Sequence, residues 1–163
     1  MRETGEKSPS PDGLAAQIGD SILVSARLLS RFITSIYDDR LRRFGITAAQ
    51  VILLALISEG PVTRADIARQ QHLERSTLTR NLKAIFSEGW VVEVRKSADG
   101  RTRPIALTEA GRQLISAAQP ECLAAEAEAT ALLGKDGMTT VIGVAKRLAI
   151  ASSTEISTPT AEC

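Results

Sequence analysis

The stretch that decides the fold is residues 67–82, which read IARQQHLERSTLTRNL. It contains the end of a short helical segment, a tight connection at Gln71–His72, and the first half of a second helix predicted over Glu74–Glu88. The inward face of the second helix has the three- and four-residue spacing of a buried helical stripe, formed by Leu78, Leu82 and Ile85. Two short helices joined by a tight turn predict a helix-turn-helix.

The segments on either side of this motif complete a small lobe. Upstream, Thr47–Gln50 is a capping box that starts a buried helix over Val51–Ile57, and Glu59–Pro61 ends that helix. Downstream, two β-branched stretches flank Asp99–Gly100, a dipeptide typical of a hairpin turn. The sequence therefore predicts a winged helix-turn-helix lobe of three helices and a β-hairpin over residues 46–107.

Long helices are predicted outside the lobe. Apolar residues recur at helical spacing over 13–45 and lie on more than one face of that helix. Two more helices are predicted within 108–151, with a capping Thr108, a kink at Pro120 and a break at Gly134–Gly137. We favour packing of these helices against a partner subunit, and a central core helix is the alternative for the first. Flexible tails are predicted at residues 1–12 and 152–163.

The predicted fold class is therefore mainly α with a small β-hairpin wing, a winged helix-turn-helix flanked by N- and C-terminal dimerisation helices. With 163 residues, 44% hydrophobic and 24% charged, the composition is typical of one soluble globular domain. The longest apolar run, Val51–Ile57, is much shorter than the roughly 20 residues of a membrane span. We therefore expect no membrane association. Because no apolar signal segment is present, we expect a cytoplasmic protein.

Candidate catalytic and metal-binding residues are few. The chain has one histidine, His72, and two cysteines, Cys122 and Cys163. These supply neither a multi-histidine metal site nor a disulfide framework, and there is no glycine-rich phosphate loop. We predict no catalytic residue, no metal and no cofactor. His72 is interpreted as a turn residue and Cys122 as a buried apolar one.

The basic residues are concentrated in the middle of the chain. Residues 63–103 hold nine Lys or Arg and five Asp or Glu, a net charge of +4, whereas the remainder carries −3. This distribution suggests a module that binds a polyanion, and a solvated charged surface is the alternative. Hydroxyl and basic side chains on the second helix can contact phosphates and base edges, and hairpin arginines can reach the minor groove. The predicted DNA-binding residues are Thr63, Arg64, Arg75, Ser76, Thr77, Thr79, Arg80, Lys83, Asp99, Arg101 and Arg103.

Three segments in this order resemble the MarR family of bacterial transcriptional regulators. They are the helix-turn-helix over 67–82, the wing entry at Glu88–Val91, and Asp99–Arg103 leading into Leu107–Gly111. The resemblance covers about residues 14–151. It implies a homodimer joined through the first and the last two helices, which binds a palindromic operator in double-stranded DNA, usually as a repressor.

The resemblance also implies a role for the tip of the wing. In the family the wing's Asp and Arg pair and the Arg enters the minor groove, and Asp99 and Arg101 match those positions. His72 departs from the family, which often has Gly in this turn. Histidine tolerates a positive φ better than β-branched residues do, so the turn remains compatible with the motif.

Many members of the family release DNA when a small aromatic or acyl compound binds between the dimer helices and the DNA-binding lobe. The resemblance places this effector crevice beside four apolar or aromatic side chains, with one of two arginines available for an anion. Ordinary core packing and a solvated surface are the alternative interpretation of the same residues. The candidate effector-binding residues are Ile36, Tyr37, Arg40, Arg43, Phe44 and Leu53.

Together these observations predict a dimeric, sequence-specific DNA-binding transcriptional regulator. A second class is a winged-helix module that makes only protein contacts. Such a module would not need basic and hydroxyl side chains on one face, which here are Thr79, Arg80, Arg101 and Arg103. A small enzyme is disfavoured, because the sequence contains no credible set of catalytic residues.

Overall fold

The structure, a computed structural model, describes residues 18–19, 21–94 and 103–155, with side chains as far as residue 150. A 3-10 turn, Arg42–Phe44, follows the first helix. The helices are α1 (Ile22–Leu41), α2 (Ala48–Ser58), α3 (Arg64–Gln70), α4 (Arg75–Ser87) and α5 (Glu109–Glu155). The strands are β1 (Val91–Glu93) and β2 (Ile105–Leu107), which pair antiparallel. The mainly helical architecture with a two-stranded hairpin confirms the predicted fold class.

Helix α2 begins at the capping box that the sequence predicted. The Thr47 hydroxyl accepts the N–H of Gln50 at 3.3 Å, and the Gln50 side chain accepts the N–H of Thr47 at 2.9 Å. The carboxylate of Asp38 on α1 accepts the N–H of Ala48 at 2.6 Å. Three N–H groups at the start of α2, which have no acceptor inside the helix, are thereby satisfied, and the last of these bonds also links α1 to α2.

The turn between α3 and α4 depends on one unusual backbone conformation. His72 has φ 49°, and it is the only residue other than glycine with a positive φ among the residues that the structure describes. This left-handed conformation lets the chain reverse within a few residues. The prediction that His72 serves the turn is confirmed.

Strand β2 lies between two neighbours. Ile105 is opposite Glu93 of β1, and it also forms an isolated bridge with Val62, the residue before the cap of α3. The N–H of Ile105 donates to the Val62 carbonyl at 2.8 Å, and the N–H of Val62 donates back at 3.0 Å. The wing is therefore anchored directly to the chain that enters the helix-turn-helix.

Two apolar clusters hold the elements together. The first is the core of the lobe, and it is formed by Leu53, Leu54, Ile57, Ile67, Leu78, Leu82, Ile85, Val91, Ile105 and Leu107. The second consists of Leu41, Ile46 and Ala118 and joins α1 and α5 beside the lobe. Cys122 packs against this second cluster but is only half-buried, which corrects the prediction that it is buried.

The boundaries of the outer helices differ from the sequence prediction. Helix α5 runs through Pro120, and the only non-helical dihedrals inside it are at Gly134, with φ 69° and ψ 164°. The predicted break at Gly134–Gly137 is therefore confined to one residue. The described part of the helix extends to Glu155, four residues beyond the predicted end at residue 151. The predicted tail at 1–12 and the predicted start of the first helix lie outside the described residues.

A close backbone contact joins α5 to the wing. The carbonyl oxygen of Trp90 accepts the N–H of Thr108 at 3.0 Å, and the Thr108 hydroxyl donates to the Gly89 carbonyl at 2.7 Å. Gly111 lies directly against this junction, since a Cβ atom at residue 111 would be 2.1 Å from the Trp90 oxygen. Only glycine fits there without a backbone shift.

We expect Gly111→Ala to destabilise the fold by about 1–3 kcal/mol, because the added methyl group must push the start of α5 away from Trp90. Urea unfolding followed by circular dichroism measures this change. The exposed neighbour Ala110 provides a control, since Ala110→Ser should cost no more than about 0.5 kcal/mol. Equal midpoints for the wild-type and Gly111→Ala proteins would contradict the close contact.

Candidate nucleic-acid interface

Thr63 caps helix α3, and the hydroxyl of this residue makes two hydrogen bonds at the start of the helix. It accepts the N–H of Asp66 at 3.2 Å and donates to the Asp66 carboxylate at 2.6 Å. This donated hydrogen bond lowers the pKa of Asp66, and the nearby Arg69 guanidinium lowers it further. Thr63 was predicted to contact DNA, but its hydroxyl proton is already engaged by Asp66.

Helix α4 presents six predicted DNA-binding side chains to solvent. Its inward stripe packs into the lobe core, with Leu78, Leu82 and Ile85 buried. Asn81 and Ala84, between these positions, are half-buried, and the predicted DNA-binding residues of the helix are all exposed: Arg75, Ser76, Thr77, Thr79, Arg80 and Lys83. The structure therefore brings three basic and three hydroxyl side chains onto the outward part of one helix, where a polyanion can reach them.

Thr79 has a local partner that the sequence analysis did not anticipate. Its hydroxyl donates to the carbonyl oxygen of Arg75, one turn earlier, at 2.6 Å. This back-bonding is common for threonine inside helices. The lone pairs of the hydroxyl remain available, so Thr79 can accept a hydrogen bond from a base edge but has no free proton for a phosphate.

At the base of the wing, one carboxylate joins two predicted DNA-binding arginines. Glu93 accepts from Arg64 at 2.7 Å and from Arg103 at 3.5 Å. The hydrogen bond from Arg64 is the main cause that lowers the pKa of Glu93, so this carboxylate is ionised at neutral pH. We call Arg64, Glu93 and Arg103 the wing-base cluster.

The sequence analysis missed Glu93. The available signal was an acidic residue at the end of a predicted strand in an otherwise basic segment. Its two partners could not be identified from spacing, because Arg64 is 29 residues away along the chain. The other two predicted wing residues, Asp99 and Arg101, lie outside the described residues, and their pairing stays a prediction.

Three candidate effector residues, Tyr37 and Arg40 on α1 and Arg43 in the 3-10 turn, contact carboxylates of α5. Tyr37 donates to Glu126 at 2.5 Å. Arg40 contacts Glu128 at 2.7 Å and Glu121 at 3.6 Å, and Arg43 contacts Glu121 at 2.8 Å. Burial raises the pKa of Tyr37, and the hydrogen bond to Glu126 raises it further. We call Tyr37, Arg40, Arg43, Glu121, Glu126 and Glu128 the α1–α5 ladder.

These contacts bear on the proposed anion site. Both arginines already have carboxylate partners, so an anion would compete with Glu121 or Glu128 for them. Arg43 also lies over the ring of Phe44, with 4.8 Å between the guanidinium carbon and the ring centroid. The sequence analysis took one of these arginines to be available, whereas the structure pairs both.

The other two candidate effector residues lie in different surroundings. Leu53 is 1% exposed and belongs to the lobe core, and Ile36 is half-buried on α1. An open cleft of about 490 Å³ lies instead between the end of α2, β2 and α5. None of the six candidate effector residues lines this cleft, whose wall is formed by Ile57, Ser58, Gly60, Pro61, Ala106, Leu107, Arg112, Ile115 and Ser116.

The described part of the chain contains no metal-binding cluster and no single membrane-spanning helix. No group of three or more His, Cys, Asp or Glu side chains in these residues is arranged to hold a metal ion. No single described helix has both the length and the hydropathy to cross a bilayer. One bent pair, 22–44 with 48–58, meets that test jointly across a 76° bend, on length and composition only.

An exposed second helix after a tight turn, a two-stranded wing and long flanking helices together define a winged helix-turn-helix protein. The chain matches the family described as transcriptional regulator SarA/Rot over residues 35–118. It belongs to that family of transcriptional regulators. The resemblance to MarR-family regulators found in the sequence is confirmed for the fold, which solved structures of that family share at 21–23% identity.

Individual relatives support the same assignment. An HTH-type transcriptional regulator of Bacillus cereus is 32% identical over 88 residues, which cover 53% of this chain and 58% of that protein. The chain thus spans little more than half the length of the curated relatives it matches.

Two solved structures contain DNA. The transcriptional regulator MosR of Mycobacterium tuberculosis, in complex with DNA, is 32% identical, with a TM-score of 0.70 over 83% of this chain and 98% of that one. A mutant MarR from Escherichia coli, in complex with operator DNA, is 23% identical, with a TM-score of 0.67 over 76% of this chain and 89% of that one. The second likeness shows the fold alone.

The cap of α3 can be tested through its hydroxyl. We expect Thr63→Ala to cost about 1 kcal/mol of stability near neutral pH, whereas Thr63→Ser keeps the hydroxyl and most of the stability. The pKa of Asp66 should rise towards its ordinary value in the alanine variant, as measured by NMR titration.

The pH dependence of this effect has a definite sign. Because the folded-state pKa of Asp66 is lowered, its stabilisation is present above the unfolded-state pKa and is lost as pH falls through the folded-state pKa. The difference between the alanine and serine variants in urea unfolding should therefore shrink in acid. A difference that grows as pH falls would contradict this role of the hydroxyl.

Proposed function

We propose that this chain is a sequence-specific DNA-binding regulator that acts as a homodimer on a palindromic operator. The observation that carries the proposal is the outward side of α4, where Arg75, Arg80 and Lys83 are exposed beside three hydroxyl side chains. Arginine can donate two parallel hydrogen bonds to guanine, and hydroxyl groups can contact bases or phosphates. A helix of this kind after a tight turn fits the major groove.

The charge of the surrounding segment supports a polyanionic partner. The net charge of +4 over residues 63–103 contrasts with −3 over the remainder of the chain. Such a distribution attracts DNA to one lobe and away from the rest of the molecule. Relatives in complex with DNA, MosR and MarR, share this fold.

Exposed apolar residues on the outer helices support a dimer. On α1, Ile22 is 88% exposed and Phe32 is 54% exposed. Leu132 and Ile142 on α5 are also exposed. Large apolar side chains on several turns of two long helices are unfavourable in water and indicate a partner surface. A second copy of the chain supplies a matching surface, and its two-fold symmetry suits a palindromic operator.

The repressor role and release by a small aromatic or acyl effector follow from the family resemblance. The effector part of the proposal has a structural consequence. A carboxylate compound that binds Arg40 or Arg43 competes with Glu121 or Glu128 and thereby weakens the contacts between α1 and α5 at the α1–α5 ladder. A change at this junction can alter the spacing of two lobes on DNA.

The DNA-binding test starts with selection of a duplex from a random pool by the purified wild-type protein. Arg80→Gln should weaken binding to the selected duplex by about 1–3 kcal/mol and relax preference at one base position in each half-site. Arg42→Gln is the matched control, because it removes one exposed arginine outside the lobe. Fluorescence anisotropy at several salt concentrations measures the affinities.

The outcomes separate DNA recognition from a role in protein contacts. For a DNA-binding regulator, the affinity should fall steeply with salt as phosphate contacts release counterions. A winged-helix module that makes only protein contacts would select no duplex. An unchanged affinity and base preference in a folded Arg80→Gln protein would show that α4 does not read the DNA.

Dimerisation has its own test. Phe32→Glu should dissociate the dimer, because the charge would be buried without a partner in the interface but lies at a half-exposed position in a single chain. Sedimentation should give about twice 17.4 kDa for the wild-type protein and a smaller mass for the variant. Val92→Glu, at an exposed apolar position on the wing, should leave the dimer intact. A wild-type protein that sediments as a folded monomer would contradict the proposed dimerisation.

A further inference from the structure

We propose that Glu93 is a positioning residue for DNA recognition. It holds Arg64 and Arg103 in one arrangement and thereby increases the preference of the lobe for its operator over other DNA. The inference rests on the proposed function and adds to it a residue that contacts other side chains rather than the DNA.

The backbone of the wing explains why these three side chains meet. Ile105 of β2 is opposite Glu93 on one side and Val62 on the other. Arg103 precedes Ile105 by two residues, and Arg64 follows Val62 by two residues. Three separate stretches of chain thus converge at one end of the small sheet, and Glu93 is the acid among them.

The contacts engage both oxygens of the carboxylate. Oε1 of Glu93 accepts from Nη1 of Arg64 at 2.7 Å, and Oε2 lies 3.5 Å from Nη1 of Arg103. The guanidinium of Arg64 is also 5.5 Å from the centroid of the Phe86 ring on α4. Arg64 is therefore held between a carboxylate and an aromatic ring, although half of its side chain is exposed.

This arrangement leaves both arginines able to bind DNA. A guanidinium has five N–H donors, and the contact to Glu93 uses Nη1 of each arginine. The side chains of Arg64 and Arg103 are 50% and 66% exposed, so their remaining donors can reach a phosphate or a groove edge. The arginines are thus directed by Glu93 without being removed from the surface.

Fixed arginines discriminate between DNA sequences better than mobile ones. A mobile arginine can follow the phosphates of any duplex, whereas a held guanidinium makes its contacts only where the backbone and groove have the matching shape. Its ordering is also complete before binding, which favours the matching duplex. Glu93 therefore weakens the general attraction to DNA and increases the selectivity for the operator.

General attraction must be separated from positioning, because removing any acid from this lobe favours a polyanion. Glu88 provides the matched control. It is an exposed acid at the end of α4, and it has no ion pair within the described residues. Glu93→Gln and Glu88→Gln each remove one negative charge, but only Glu93→Gln releases the two arginines.

The experiment compares the dissociation constants for the selected duplex and for a random-sequence duplex of equal length. We call the dissociation constant for the random duplex divided by that for the selected duplex the selectivity ratio. We expect Glu93→Gln to bind the random duplex more tightly and to lower this ratio about fivefold, the upper range for an exposed ion pair. Glu88→Gln should strengthen both affinities and leave the ratio unchanged. Circular dichroism checks that each variant is folded.

A double-mutant comparison distinguishes positioning from a structural role. In a background carrying Arg64→Gln and Arg103→Gln, Glu93→Gln should change the ratio no further, because its partners are absent. A fall in ratio that persists in this background would show that Glu93 acts on the fold of the wing and would overturn the inference. If Glu93→Gln and Glu88→Gln have equal ratios, Glu93 acts only through its charge, and this result would also overturn the inference.

A measurement without DNA tests whether Glu93 restrains Arg64 and Arg103. The Nη–H signals of Arg64 and Arg103 should exchange with water faster in Glu93→Gln than in the wild-type or Glu88→Gln protein, because Nη1 makes both contacts. Equal exchange rates in all three would overturn the positioning role even if binding changed. Failure of the wild-type protein to select any duplex would overturn the proposed function as well, whereas the other negative results leave DNA binding intact.

Discussion

The pairing of Ile105 on both sides is the interaction on which the lobe depends. This residue is completely buried, it is hydrogen-bonded to Val62, and it is opposite Glu93 in the hairpin. The apolar side chain anchors the strand in the core, while the backbone connects the wing to the start of the helix-turn-helix. Because a strand alternates its side chains between two faces, this pairing also determines which residues of the wing remain outside.

As a result, the charged residues of the lobe have two different roles. On α4, the basic side chains are exposed, whereas Leu78, Leu82 and Ile85 are buried in the lobe core. At the base of the wing, two further arginines are paired with Glu93. The net positive charge attracts DNA in general, whereas the position of each guanidinium determines which DNA it contacts well. An acid within a basic surface is consistent with this second requirement.

The outer helices are joined mainly by polar contacts, whereas the lobe is held together by its apolar core. The α1–α5 ladder consists of exposed and half-exposed polar contacts beside the small cluster of Leu41, Ile46 and Ala118. Exposed ion pairs contribute little stability each, so this junction can open at a lower cost than the lobe core. The two apolar clusters meet at Trp90, which packs against both. A change at the ladder therefore has a short path to the wing.

Local sequence by itself determined the capping box at Thr47, the turn at His72, the buried stripe of α4 and the position of the hairpin, because each depends on contacts within a few residues. Tertiary structure alone decided the partners of charged side chains. Arg64 finds Glu93, and Arg40 finds Glu128, 88 residues away. The sequence left open whether Leu53 lines a crevice or packs in the core, and in the structure it is buried in the lobe core. Periodicity shows which face of a helix is buried, but only packing decides what lies against it, and the charge on a side chain does not reveal which opposite charge the folded chain will bring to it.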